Sequence, residues 1–259
     1  MIYKIKNELL EVINRCREYD EYIFKRFGQF ETVTGKSTNN YLKFNINSVE
    51  INLMGNKKNL NNRIIKTDIY PIINNVIAYL INDENNMLMH SIVVSKLDKG
   101  ILIVGEFGQG KSTLAKEFEN NGYEINSTDQ TWLECKNGMI FQKLGSSFDI
   151  DEGKIKILKQ GKNFKNIKIE RIIRIIGLCD NGNTKININN NQYYIIKNLA
   201  PFCYWNYMMP IFTDDIELYN TNIFTKKFLN KIIESKIINI DVRGDKKEIL
   251  KELGEIWKW

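Results

Sequence analysis

One nine-residue stretch constrains this chain more than any other: Gly105-Glu106-Phe107-Gly108-Gln109-Gly110-Lys111-Ser112-Thr113. The apolar run Ile101-Leu102-Ile103-Val104 enters it, and Leu114-Ala115-Lys116-Glu117-Phe118-Glu119 leaves it. The spelling is G-x-x-x-x-G-K-[ST] between a strand-like and a helix-like segment, the context a phosphate-binding loop requires. Glycine permits backbone angles that strain other residues, so successive N–H groups can turn inward around a polyphosphate. The helix that follows adds the positive end of its dipole. Lys111 supplies a mobile cation, and the Ser112 hydroxyl is placed to hold Mg²⁺. Residues Gly105 to Thr113 are therefore the expected nucleotide-binding set. Gly35-Lys36-Ser37-Thr38 repeats the end of the motif, but Phe30 stands at the first-glycine position and Asn39-Asn40 follow in place of a helix. It reads as a polar turn.

The remaining composition excludes more than it selects. With 259 residues the chain can bury one substantial core, or one domain with a smaller lobe. Its formal charge of +6 is modest and spread out. That balance suits an anionic ligand but does not indicate nucleic acid. The cysteines Cys16, Cys135, Cys179 and Cys203 form no C-x-x-C pair, so neither a zinc site nor a disulfide framework is expected. No run approaches the ~20 apolar residues of a membrane span. A cytoplasmic protein without membrane partners is the expectation, and a homo-oligomer is left open.

Along the chain, Leu9, Leu10, Ile13, Cys16 and Tyr19 recur at helical spacing, predicting an amphipathic helix over residues 2–27. Leu42–Ile46 and Val49–Leu53 alternate strictly around Asn47-Ser48, predicting a hairpin. Residues 55–62 read as polar loop, and Pro71 opens a helix through Leu80. Residues 87–95 and 100–104 read as strands, and residues 123–126 as a short strand leading to Asp129. Short strands between Gly/Asn turns are expected at 139–141, 154–158, 167–169, 171–177, 186–188 and 193–196. Helices are expected near 199–209 and 222–235, then a strand at 237–242 and a helix from Asp245 to Trp257. Strands outnumber helices and often adjoin, so a mixed sheet in an α/β chain is expected. The division is an N-terminal α+β lobe, residues 1–69, and a phosphate-loop domain, residues 70–259. The aromatic run from Pro201 to Met209 reads as core packing, with a peptide-docking surface as the alternative. Arg171, Arg174 and Arg243 are candidates to reach phosphates.

Two spacings around the loop carry a resemblance. His90 ends Met87-Leu88-Met89-His90, fifteen residues before Gly105, and Asp129 follows Lys111 by eighteen. This layout resembles the catalytic domain of HPr kinase/phosphorylase and its smaller relatives, such as lasso-peptide precursor kinases. The detailed match covers roughly residues 70–130 and leaves residues 1–60 uncovered. The resemblance implies a fold shared with phosphoenolpyruvate carboxykinases. It also implies Mg²⁺-dependent transfer of a phosphoryl group from ATP or another nucleoside phosphate to a serine or threonine hydroxyl. The acceptor would be a peptide or small protein, as in peptide natural-product maturation. Lys111, Asp129 and His90 become the expected catalytic residues, and Ser112 and Asp129 the expected metal ligands. In the family the first Asp of a pair acts as general base near the histidine and the pair contributes near the metal; here the first position is Thr128 and only the second, Asp129, is a carboxylate. Three readings stand: Asp129 serves as base, His90 takes over, or the site binds nucleotide without efficient transfer. Kinases of free small molecules such as amino acids, and a nucleotide-dependent scaffold, are the alternatives.

Overall fold

The computed structural model describes residues 1–46, 48–61, 66–145, 148–151, 154–157, 166–178, 183–203 and 215–256. It opens with strands β1 (Ile2–Ile5) and β2 (Glu8–Asn14), and only then helix α1 (Asp20–Phe27). The helix expected over residues 2–27 is thus corrected to two strands and a shorter helix. Tyr3 and Ile5, then Leu10 and Val12, alternate inward. Lys6, at φ 56°, turns the chain between the two strands. Strand partners on both flanks of β2 settle the ambiguity that a short apolar run leaves.

β3 (Glu31–Thr32), β4 (Tyr41–Asn45), β5 (Ser48–Leu53) and β6 (Asn56–Asn61) complete a six-stranded sheet among the described residues, in the order β3-β1-β2-β4-β5-β6. The predicted hairpin forms, with Asn45 paired to Ser48. The predicted loop at 55–62 is instead β6, an edge strand that pairs with β5 and has little apolar pattern to show. Helix α2 (Lys66–Ile81) starts five residues before Pro71, which lies inside it. The lost hydrogen bond is offset by a buried face of Ile69, Ile73, Val76, Ile77 and Leu80. That face packs with Tyr3, Leu10, Phe27, Leu42 and Phe44 in one core.

The second sheet, nine-stranded among the described residues, comprises β7 (Asn86–His90), β8 (Ile92–Lys96), β9 (Lys99–Val104), β10 (Glu124–Ser127), β11 (Gln130–Lys136), β12 (Met139–Gly145), β15 (Ile167–Leu178), β16 (Lys185–Ile188) and β17 (Ile238–Gly244). The path runs β10-β8-β9-β15-β12-β11-β7, with β17 beside β15 and β16 beside β17. β9, β15 and β17 are parallel and the other pairings antiparallel, so the sheet is mixed, as expected. β13 (Phe148–Asp151) and β14 (Lys154–Ile157) form a separate hairpin.

α3 (Lys111–Asn120) and α6 (Lys246–Ile256) share one core with one sheet face; α4 (Gln192–Leu199) and α5 (Asp215–Glu234) lie on the other. The strand expected at 193–196 is therefore corrected to helix α4. Asn191 caps it by accepting the Tyr194 N–H at 3.2 Å, which starts a helix where β propensity alone would favour a strand. Of the helix expected over 199–209, residues Ala200–Phe202 form a 3-10 turn and 204–209 lie outside the described residues. The strand expected over 87–95 breaks at Ser91, because β7 pairs with β11 while β8 pairs with β9 and β10. β11 itself was not expected from the sequence.

Candidate active site

The loop lies where β9 leaves the sheet. β15 accompanies β9 as far as the Arg174–Val104 pair, and the chain then turns away at Gly105. Gly108 and Gly110 adopt φ of 79° and 95°, left-handed angles that side-chain-bearing residues rarely hold. Gly110 stands at the N-terminus of α3, and its carbonyl accepts the Leu114 N–H at 2.9 Å. The Gln109 side chain accepts the Glu106 N–H at 2.8 Å, bracing the loop from within. Lys111 Nζ donates to the carbonyls of Gly105 (2.6 Å) and Glu106 (3.0 Å) and is only 8% exposed. Burial pushes its pKa down, and the charges of Asp129 and Glu106 oppose that shift without cancelling it. Ser112 and Thr113 are exposed on the first turn of α3, as Glu106 and Phe107 are on the loop itself.

His90 reaches this region through strand parity. Leu88 and His90 on β7, with Gln130 and Trp132 on β11, point to the face covered by α1 and α2, while Met87, Met89 and Leu133 point to the opposite core. Asp129 sits in the turn between β10 and β11. Its carbonyl accepts the Ser91 N–H at 3.1 Å, and Ser127 Oγ lies 2.7 Å from Thr131 Oγ1, so the turn is held at both ends. A cavity of about 300 Å³ brings together His90, Phe107, Gly108, Gly110, Lys111, Ser112, Thr113, Thr128 and Asp129. Every residue predicted as catalytic or metal-binding lines it, and Thr128 does as well. A second cavity of about 460 Å³ shares Gly108, Gly110 and Thr113 and adds Gln109, Gly177, Leu178 and Lys246. A cavity of about 550 Å³ between β2 and α1 is lined by acidic and apolar groups, a lining unsuited to phosphate.

Asp129 is more heavily engaged than sequence reasoning anticipated. Its Oδ1 lies 3.1 Å from His90 Nδ1, while Oδ2 accepts the Tyr70 hydroxyl at 3.1 Å and pairs with the Arg26 guanidinium. Burial alone would raise this carboxyl, but the Arg26 charge and the His90 bond hold it well below the usual carboxylate range. Arg26 is fully buried, with its guanidinium 3.7 Å from the centre of the Tyr70 ring. Sequence reasoning missed Arg26 and Tyr70. One signal existed for Arg26: it occupies a stripe position of α1 with Ile23 and Phe27, where a charge implies a buried partner.

Of the three arginines suggested for phosphate, Arg174 is committed elsewhere. It bonds Asp241 at 2.8 and 3.0 Å and Asn198 at 2.5 Å, among the α4 residues on the face away from α3. Arg171 pairs level with Ile101, three residues before the strand end, and Arg243 is exposed on β17.

The residues present fit a nucleoside polyphosphate: two glycines at positive φ, a helix N-terminus, a buried lysine and two cavities that share Gly108, Gly110 and Thr113 surround one loop. They also fit a Mg²⁺ held through the exposed Ser112 hydroxyl together with phosphate oxygens. Asp129 fits direct coordination less well, since its oxygens already face a guanidinium, a phenol and an imidazole. Among the described residues, no group of three His, Cys, Asp or Glu side chains could hold a metal, and no helix is long and apolar enough to cross a membrane.

The chain matches no family model and no curated protein. Among solved structures, the HPr(Ser) kinase/phosphatase from Coxiella burnetii overlaps 40% of this chain and 72% of its own, at 19% sequence identity and a TM-score of 0.31. An overlap of that quality carries no weight, and what the site can do is read from its own residues.

Proposed function

We propose that this chain is a kinase that transfers the terminal phosphoryl group of a nucleoside triphosphate to a hydroxyl, a serine or threonine of a peptide or small protein. One observation carries the reading: a single cavity contains both the Lys111–Thr113 end of the loop and the His90–Asp129 pair. A loop alone describes a nucleotide binder; an oriented imidazole at the phosphate end supplies the missing half of a transfer site.

The roles follow from the geometry. The loop amides and the α3 N-terminus hold the phosphates, and Lys111 offsets their charge. The nucleoside extends into the neighbouring cavity beside Leu178 and Lys246, which directs the terminal phosphate toward His90. Asp129 receives the Nδ1 proton of His90 in a hydrogen bond, which puts the imidazole's basic lone pair on Nε2, the nitrogen that would take the acceptor hydroxyl's proton. The hydroxyl oxygen then bonds phosphorus as the bond to the leaving diphosphate breaks. Asp129 is a poor base here because Arg26 stabilises its anion, so Thr128 in place of a second carboxylate removes no group this scheme needs. Bound Mg²⁺ would draw charge from the phosphate oxygens, with Ser112 as its protein ligand.

The test is Lys111→Ala, followed by titration with a fluorescent ATP analogue and by ADP release from MgATP. Affinity should fall at least tenfold and turnover should vanish. Wild-type-like binding and turnover in this variant would sink the proposal.

A further inference from the structure

The N-terminal sheet delivers a charged side chain into the site described above, and that contact has a consequence for the chemistry. Arg26 lies on the last turn of α1 and is completely buried. α1 is fastened to the first sheet by Ile23 and by Phe27, whose ring stacks on Tyr3 at 5.1 Å. From there the guanidinium passes over the Tyr70 ring of α2 and pairs with Asp129 Oδ2. The neighbouring backbone is held too: Gln29 Nε2 donates to the Arg26 carbonyl at 3.0 Å and to Gln130 Oε1 at 2.8 Å, and Gln130 Nε2 reaches Asn74 Oδ1 at 3.3 Å. Gln130 is the strand partner of His90. One buried polar network therefore runs from α1 through Asp129 to the imidazole.

A buried guanidinium is tolerated only where its charge is met, and a carboxylate fixed on one oxygen loses its freedom to rotate. We propose that Arg26 is a positioning residue: by fixing Asp129 Oδ2 it aims Oδ1 at His90 Nδ1, holding the imidazole in the Nδ1–H tautomer with its lone pair on the buried Nε2. The catalytic centre is then shared, with the loop from the second sheet and the orientation of its imidazole set from the first. This rests on the phosphoryl-transfer reading for its meaning but not for its detection.

His90 is the single histidine of the chain, so full-length protein labelled with ¹⁵N-histidine gives one imidazole whose two nitrogen shifts report the tautomer directly. Wild-type protein should show the Nδ1–H form. In Arg26→Gln the two tautomers should mix, and kcat for ADP release from MgATP should drop at least tenfold while KM changes less than threefold. Arg26→Lys, which restores the charge without the planar fork, should recover part of both signals. Should Arg26→Gln fail to fold, Tyr70→Phe removes one bond to the same oxygen and should shift the tautomer balance in the same direction.

An unchanged Nδ1–H tautomer in folded Arg26→Gln, or in Tyr70→Phe where only that variant folds, overturns the proposal. So does a loss confined to KM. Wild-type protein that neither binds MgATP nor releases ADP from it overturns the kinase reading instead, and the imidazole spectra then decide the Arg26–Asp129–His90 linkage by themselves.

Discussion

At Gly110 the chain bends at φ 95°, and a Cβ there would meet Leu178 Cδ1 at 2.6 Å. A side chain in the left-handed region costs roughly 1–2 kcal/mol before any clash. Gly110→Ala should therefore lower the melting temperature by a few degrees and weaken binding of an ATP analogue far more, because the displaced amides are those proposed to hold the phosphates. Asp129 gives a second prediction at this scale. Its carboxyl lies below the ordinary value of 3.8 in the folded protein, so its stabilisation is complete above about pH 4 and is lost as pH falls further. Urea midpoints between pH 5 and 3 should decline. Asp129→Asn, which strands the Arg26 charge, should be weaker at pH 7 and show a shallower decline. Cys203 behaves differently: burial pushes its thiol up to about 12, while Cys16 is partly exposed. Iodoacetamide at pH 8 should label Cys16 and leave native Cys203 untouched; mass spectrometry showing the reverse order would contradict this packing.

Among the elements, α4 shows how one side chain can override a propensity. Tyr193-Tyr194-Ile195-Ile196 suits a strand, yet Asn191 accepts the Tyr194 N–H and the chain turns helical. Asn191→Ala should cost about 1 kcal/mol in chemical denaturation. A change under a few tenths would show that tertiary contacts alone hold α4. β6 and β11 make the complementary point. Neither has an apolar alternation that announces a strand, and both exist because a neighbouring strand offers unpaired N–H and C=O groups. The β1–β2 pair shows the same ambiguity in reverse, since Leu9, Leu10 and Ile13 fit a helix period until the partner strands are present.

For the whole molecule, the two sheets are not independent supports. The core beneath the first sheet includes α2 and also Leu88 and Trp132 from the second. Removing residues 1–61 would expose the Ile69, Ile73, Val76, Ile77 and Leu80 face and withdraw Arg26 from Asp129. A chain starting at residue 62 should aggregate or melt well below the full-length protein in size-exclusion and thermal measurements. A stable, monomeric fragment with an unaltered His90 tautomer would refute this coupling.

By itself the sequence determined the loop, its flanking strand and helix, the mixed sheet, and the spacings that mark His90 and Asp129. Those features are local: glycines that must adopt particular angles, apolar runs, and short offsets within one supersecondary unit. Only the tertiary structure decided that Arg26 and Tyr70 stand behind Asp129, and that Arg174 is occupied with Asp241. A residue 103 positions from Asp129 leaves no periodic trace of the pairing. Its partner is chosen when α1 packs on its sheet and the desolvated charge must be met.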